Sequence, residues 1–383
     1  MYEFGDAEIA AATRVLTSQR LFRYMDDAEE TSSFEAEFAA TIGAGHGLAT
    51  SSGTSALICG LSALGVGPGD EVIIPAYGFV ADVIAVLAVG AVPVVCEIDE
   101  SLTMDPADVA ARITPRTRVL MPVHMNGFAS DMAGITELAA AHDLAVLEDA
   151  CQAIGGSFRG RRLGTFGAAG AFSFNQAKII TAGEGGMLVT DDRDRYERAF
   201  IEHDASCVHD GLAFGRPVFG GLGGYRMNEV SAAILRAQLL RLDSILERLR
   251  VRRDLLAGAL ADLPGLTRIP ERDPAGSCGT HVGYRLENAE AVTALRELLA
   301  DEKAFAMPTN AFGHSFFEWN MLHERRGAAH PGRNPLADRF VQGADALPVS
   351  REILDRSVVV GFGLDLDEAA TEGIHRALSK EFG

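Results

Sequence analysis

Lys178 sits in the run Ser-Phe-Asn-Gln-Ala-Lys-Ile-Ile-Thr-Ala-Gly-Glu-Gly-Gly, which begins at Ser173 and ends at Gly186. Upstream stands Glu148-Asp149-Ala150-Cys151-Gln152-Ala153, with acids at the end of an apolar stretch. A lysine amine can form a Schiff base with an aldehyde, and a carboxylate can keep a ring nitrogen protonated. The two together suit a pyridine cofactor held at both ends, which is how pyridoxal phosphate is used. A lone lysine is ordinarily a solvated surface charge. This one is flanked by Ile179 and Ile180, by the strand-like Ala-Phe-Ser-Phe before it, and by Gly183, Gly185 and Gly186 after it. Burial beside the cofactor's charge is expected to lower its pKa and make it a usable nucleophile and base.

Other residues could complete such a site. Ser51-Ser-Gly-Thr-Ser-Ala-Leu57 precedes a helix running to about Leu64. Gly53 lets the backbone approach an anion, Thr54 and Ser55 supply hydroxyls, and the helix N-terminus supplies free amides, so the segment can cup a phosphate. Taken alone, helix capping by Ser or Thr is the simpler reading. Asp149 alone also reads as an N-cap; beside a lysine of this kind it reads as the ring-nitrogen partner. Gln152 can donate to the cofactor's phenolic oxygen or be a surface amide. Phe79, in Pro75-Ala-Tyr-Gly-Phe79, can stack on a flat ring or belong to the core. Ser173 can reach a phosphate or be a small strand residue. Gly65-Val-Gly-Pro-Gly69 is a turn without the third glycine of a dinucleotide fingerprint, and no Gly-Lys-Ser/Thr phosphate loop occurs.

The elements that must position these residues are legible in the first half. Residues 71–75, 92–98, 118–123 and 144–148 are short apolar runs that read as buried strands, separated by helix-like stretches at 81–89 and 131–142. Such alternation implies crossover connections and a mostly parallel sheet covered on both faces. Ligands in such sheets lie at the carboxyl ends of the strands, where Asp149 falls. From 228 to 260 the pattern becomes helical, with Leu235, Leu239, Leu242, Leu246 and Leu249 on one face of a long helix. A smaller unit follows Pro264-Gly265, with strands at 281–286 and 357–361 and helices at 289–299 and 367–380. Residues 312–335, polar, aromatic and rich in Gly, His and Arg, read as a long loop.

Composition sets the outer bounds. The chain has 383 residues and a net charge of −19, which repels nucleic acid and anionic membranes. No apolar run reaches the roughly 20 residues that span a bilayer, and the acidic N-terminus is unlike a secretory signal. Five scattered cysteines, without metal-ligand spacing, read as reduced thiols in a cytoplasmic protein. No metal site is expected.

The order of these motifs resembles a known family. Ser-Gly-Thr-Ser-Ala-Leu, Pro-Ala-Tyr-Gly-Phe-Val-Ala, Val-His-Met-Asn-Gly, Glu-Asp-Ala-Cys-Gln-Ala, Ser-Phe-(x)3-Lys, Gly-Glu-Gly-Gly and Tyr-Arg-Met-Asn-Glu follow one another as in the DegT/DnrJ/EryC1/StrS aminotransferases. The resemblance runs from about Glu35 to Arg248 and is thin after Leu263. It implies an α/β protein of the aspartate-aminotransferase-like fold (fold type I). The large domain with its mostly parallel sheet would span residues 1–245, and a smaller α+β C-terminal domain residues 246–383. It also implies pyridoxal 5'-phosphate, a homodimer with a shared active site, and transfer of an amino group from glutamate or glutamine to a keto-sugar or keto-cyclitol, as in amino-sugar, aminocyclitol and antibiotic biosynthesis.

Carried over by position, Lys178 matches the Schiff-base lysine and Asp149 the pyridine-nitrogen partner. Gln152 matches the phenolic-oxygen contact, Phe79 the stacking ring, and Gly53, Thr54, Ser55 and Ser173 the phosphate cup. Lys178 argues against the family's dehydratase branch, which has histidine there. Gln176 and the Thr-Ala-Gly-Glu-Gly-Gly run look most like aminocyclitol and aminohydroxybenzoate-synthase members. Elimination or aromatisation on the same fold is a second possible outcome. A non-catalytic cofactor-binding subunit is a third, against which the set Lys178, Asp149 and Gln152 argues. One position departs from the family. Gly224 stands where an asparagine usually reaches the partner's cofactor phosphate, so that contact is either lost or replaced. Gly223 and Gly224 together read as a backbone requirement, so Gly224 is expected to hold a positive φ or to leave room for a bulkier substrate.

Overall fold

The computed structural model describes residues 3–208, 214–218, 223–300, 303–337, 339–340, 342–343 and 345–382. Nine strands precede the helical stretch. They are β1 (His46–Thr50), β2 (Glu71–Pro75), β3 (Val92–Cys96), β4 (Thr117–Leu120), β5 (Ala145–Asp149), the small hairpin β6 (Ser157–Phe158) and β7 (Arg161–Arg162), β8 (Ala169–Ser173) and β9 (Gly186–Thr190). Seven of them form one sheet in the order β1-β9-β8-β5-β4-β2-β3. β3, β2, β4, β5 and β8 pair in parallel, and β9 runs antiparallel to both of its neighbours. β2, β8 and β9 are buried at every position, as strands covered on both faces must be. β3 tolerates Pro93 because it lies at the sheet edge.

Helices pack closely on this sheet. The helix Gly53–Ala63 lies against β5 because Gly60 has no side chain; a Cβ there would be 2.9 Å from Leu147 Cδ1. At the other side of the core, Phe34 and Phe38 of the helix Glu30–Ile42 meet Phe172 and Phe174 edge-on at ring distances of 5.0–5.4 Å. Those two aromatics flank Ser173 and so anchor the approach to Lys178.

The long helix expected over 228–260 is two helices, Glu229–Leu239 and Leu242–Ala259. The leucine pattern holds on both, but separate tertiary bonds fix each one. Gln238 is spent on Thr181, accepting its N–H at 2.9 Å and donating to its carbonyl at 2.6 Å. Arg241 turns aside to pair with Glu8, and Leu240 between them is 89% exposed. The second helix runs through the division expected at 245/246.

The smaller sheet has β10 (Thr267–Arg268), β11 (His281–Arg285), β12 (Ala304–Pro308) and β13 (Ser357–Phe362), all antiparallel, in the order β10-β11-β13-β12. The stretch 312–335 is no loose loop. It carries Phe316–Glu318 and Pro331–Arg333 as 3-10 turns and Asn320–His323 as a short helix. Its start is stitched to the chain leaving β2. Gly78 N–H donates to His314 O at 3.0 Å, Val80 N–H to Gly313 O at 3.1 Å, and Phe316 N–H to Ala76 O at 2.8 Å. Trp319 is 1% exposed, and its indole N–H donates to Gly313 O at 3.0 Å. Burial of one large aromatic ring against backbone holds this segment where propensity predicts none of it. No helix among the described residues is long and apolar enough to cross a membrane.

Candidate active site

The segments that follow β4, β5 and β8 line one cavity of about 200 Å³. Gln152 and Lys178 line it directly, with Asn126, Cys151, Thr280, His281, His314 and others. Asp149 ends β5 and is 4% exposed; its Oδ1 accepts Cys151 N–H at 2.8 Å. Gly53 and Ser173 meet behind Cys151: a Cβ on Gly53 would be 2.7 Å from Cys151 Sγ and 2.8 Å from Ser173 Cβ. Phe79, 42% exposed, stands at the other side with its ring 5.7 Å from that of His314. An exposed phenylalanine at a strand exit is a poor core residue and a good platform. Of the eight residues singled out from the sequence, Gln152 and Lys178 line the cavity; Gly53 and Ser173 meet at Cys151, Asp149 bonds the Cys151 backbone, Phe79 neighbours His314, and Thr54 and Ser55 continue from Gly53 into the helix.

The serine-rich turn is built for hydrogen bonding. Ser52 caps the helix Gly53–Ala63, its Oγ accepting Ser55 N–H at 3.1 Å. Ser55 Oγ lies 3.0 Å from Ser51 Oγ and 2.8 Å from Ser52 Oγ. The simpler reading, helix capping, is present here, with Ser52 as the cap. Gly186, at the end of Gly-Glu-Gly-Gly, passes so close that a Cβ would collide with the Ser52 carbonyl. Gly53→Ala tests how tight this corner is. The added methyl should cost about 1–3 kcal/mol of stability, as overpacking does, and should weaken phosphate binding. A melting curve matching the wild type, with and without pyridoxal phosphate, would show that the corner is roomier than described.

Lys178 is half-buried, and its backbone N–H donates to Asn175 O at 2.9 Å. No hydrogen bond or ion pair among the described residues engages its Nζ, which leaves the amine free. Gln152 Oε1 accepts Asn126 N–H at 3.1 Å, so its Nε2 is the end left to donate. Asn126 itself is held in left-handed backbone, φ 56°, with its Nδ2 on Tyr77 OH at 2.9 Å and its carbonyl accepting Thr280 Oγ1 at 2.8 Å.

Sequence reasoning missed the far wall. His281 opens β11 and His314 lies in the stitched segment; both line the cavity. Burial, reinforced by the Lys178 charge, pulls both imidazoles down to about 4, so both are neutral near pH 7. His314 Nδ1 is buried without a partner among the described residues. The only sequence signal was the cluster of aromatic and histidine residues in 312–335. His124, in the Val-His-Met-Asn-Gly motif, plays a framework part instead. Ser130 N–H donates to its Nδ1 at 3.1 Å, which puts the proton on Nε2, 3.1 Å from Glu148 Oε2. Glu148 also accepts the N–H groups of Gly164 and Gly167, each at 2.8 Å.

Gly224 corrects an expectation. It forms an extended bridge with Asp204, its φ lies outside the left-handed region, and a Cβ there would meet nothing within 4 Å. The backbone requirement falls on Gly223, where a Cβ would strike the Tyr225 ring. The family resemblance also implies that the segment from Cys207 to Tyr225 reaches into a partner subunit; its residues 209–213 and 219–222 lie outside the described residues. Gly224→Asn should therefore fold normally and melt no lower than wild type, with up to about 0.4–1 kcal/mol gained from the stiffer unfolded chain. A lowered melting temperature would contradict the open geometry.

Comparison with known proteins fits this arrangement. Residues 3–360 match the DegT/DnrJ/EryC1/StrS aminotransferase family. The chain belongs to this family. It is 33% identical over 402 residues to an L-glutamine:2-deoxy-scyllo-inosose aminotransferase of Streptomyces kanamyceticus, covering 98% of this chain and 91% of that one. It is 40% identical over 267 residues to a 3-amino-5-hydroxybenzoate synthase of Amycolatopsis mediterranei (strain S699), covering 69% of this chain and 68% of that one. Among solved structures, S. venezuelae DesV in complex with a ketimine intermediate superposes with a TM-score of 0.81 at 31% identity, covering 97% of this chain and 93% of the other. The α/β architecture is that of this family, and amino-group transfer is the family's activity.

Proposed function

We propose that this aminotransferase uses pyridoxal 5'-phosphate to move an amino group from glutamate or glutamine to a keto-cyclitol or keto-sugar. The observation that carries the proposal is a cavity lined by Lys178, whose amine has no partner among the described residues, and by Gln152, whose Nε2 is left to donate; the buried Asp149 carboxylate bonds the backbone of Cys151 on its wall, and a hydroxyl-lined helix N-terminus packs beside it. The residues fit the cofactor. Gly53 lets the helix N-terminus pack directly on Cys151 and Ser173 beside the cavity, and the amides and hydroxyls there suit a phosphate.

When bound, the cofactor supplies an electron sink for negative charge on the carbon beside the transferred nitrogen. The protein does the rest. Thr54, Ser55, Ser173 and the helix amides hold the phosphate. Phe79 covers one face of the ring. Asp149 accepts the ring N–H, Gln152 donates from Nε2 to the phenolic oxygen, and Lys178 Nζ moves the proton. His281 and His314, neutral and facing the cavity, are placed to hydrogen-bond substrate hydroxyls. The relatives' names favour cyclitol and sugar acceptors.

The test is a panel of keto-cyclitols and keto-sugars offered to the aminated enzyme, read by mass spectrometry. Bleaching by glutamate or glutamine with no aminated product from any acceptor would favour elimination or aromatisation. Binding without bleaching would favour a silent subunit. The active species is proposed to be a homodimer; a fully active monomer in sedimentation would refute it.

A further inference from the structure

Asp82 sits in the first turn of the helix Val80–Ala88 and is fully buried. Its Oδ2 accepts Phe79 N–H at 3.0 Å. Its Oδ1, equally buried, has no hydrogen-bond partner among the described residues. The turn is packed hard onto the end of β5. A Cβ on Gly78 would be 2.8 Å from Asp82 Oδ2 and 3.5 Å from Val123 Cγ2, and Val123 bridges to Asp149. Asp149 Oδ1 accepts Cys151 N–H, and the Asp149 carboxylate is within hydrogen-bonding reach of both the Asp82 carboxyl and the Cys151 thiol.

The ionisable groups acting on Asp82 are few. Asp149 faces it from the end of β5, with the Cys151 thiol just beyond, and Lys178 faces it from the turn after β8. No arginine pairs with Asp82 among the described residues. Burial first, and the Asp149 charge second, push its carboxyl well above the usual carboxylate range. Two ionised carboxyl groups side by side away from water are unfavourable, and one proton shared between them removes the conflict.

We propose that Asp82 is a positioning residue that holds a proton at Oδ1 and donates it as a hydrogen bond to Asp149, aiming that carboxylate at the cofactor's ring nitrogen. Donation fixes the Asp149 carboxylate and steadies the negative charge that faces the ring nitrogen. Asp82 touches no reacting atom. It also fastens the backbone of Phe79, so one side chain sets both the platform of the ring and its nitrogen partner.

The inference rests on the cofactor reading above, but its first test does not. In the cofactor-free protein at neutral pH, the infrared difference between wild type and Asp82→Asn should show the carbonyl stretch of a buried carboxylic acid in the wild type. Its absence overturns the proposal. The second test titrates pyridoxal phosphate into the variants. Asp82→Asn keeps an N–H for Asp149 and an acceptor for Phe79 N–H, so its dissociation constant should stay within about threefold of wild type, whereas Asp82→Ala should bind roughly tenfold or more weakly, with a shifted absorption band, the loss expected for a hydrogen bond to a charged group. Equal weakening in both variants would mean that Asp82 acts as a charge, and no weakening in Asp82→Ala would mean that it does not position Asp149. Failure of the wild type to bind pyridoxal phosphate would sink the cofactor reading while leaving the infrared result to decide the proton.

Discussion

Lys178→Ala is expected to take up pyridoxal phosphate and to turn nothing over. The phosphate cup, the Phe79 face and Asp149 all remain, so binding survives through groups that Lys178 does not hold. What disappears is the amine that bonds the aldehyde and later carries the proton. General base catalysis alone contributes about 10²–10⁴-fold, which is roughly 3–5 kcal/mol of barrier, and loss of the covalent attachment adds to it. The expected result is therefore no measurable multiple turnover, with coloured protein that glutamate alters without releasing aminated product. Normal turnover by this variant would remove Lys178 from the mechanism. An added primary amine that restores part of the rate would locate the defect in the proton transfer.

Asp149→Asn should be the second largest effect. Asparagine fills the same space at the end of β5 and can still accept Cys151 N–H, so the fold should persist. The negative charge opposite the ring nitrogen is gone, and the cofactor withdraws electrons less well. Proton abstraction should slow by about 10²-fold or more, near 3 kcal/mol in transition-state terms. Cofactor affinity should fall much less, because the phosphate contacts are elsewhere. A loss in kcat/KM below about threefold, under ~0.7 kcal/mol, would contradict the role.

The parallel half of the fold was legible because buried parallel strands advertise themselves as continuous apolar runs. Glu71–Pro75 coincides with its predicted run; the run predicted at 118–123 is instead the strand Thr117–Leu120, so the prediction overshot at its end. β9 and β12 were not read. Gly-Met-Leu-Val-Thr follows directly on the glycine run, and Ala-Phe-Ala-Met-Pro is too mixed to stand out from its surroundings. The helix break at Leu240 was invisible because the heptad-like spacing continues across it, while the bonds that cause it come from Thr181 and Glu8, distant in sequence.

The site divides along similar lines. The roles proposed for Lys178, Asp149 and the serine turn are suggested by residue type and order in the sequence. Asp82, His281 and His314 do not, because an aspartate in the first turn of a helix looks like ordinary capping, and a histidine in a long polar stretch looks like surface. What distinguishes them is burial and the company they keep, which only packing reveals. Gly224 shows the reverse error: a glycine pair suggested strain, and the backbone there is relaxed.

The stitching of residues 313–316 onto residues 76–80 has a consequence for how acceptor choice could change. The groups assigned to cofactor chemistry all come from residues 53–178, whereas the opposite wall comes from Thr280, His281, Phe305, Met307 and His314. On the proposed roles, reaction and recognition fall in separate stretches of one polypeptide, joined by backbone hydrogen bonds that do not depend on side-chain identity. A lineage could rewrite the later stretch, altering which ketone fits, while the earlier one stays silent to the change. An exchange of the second wall between two such enzymes should then carry substrate preference with it and leave the colour of the bound cofactor as it was.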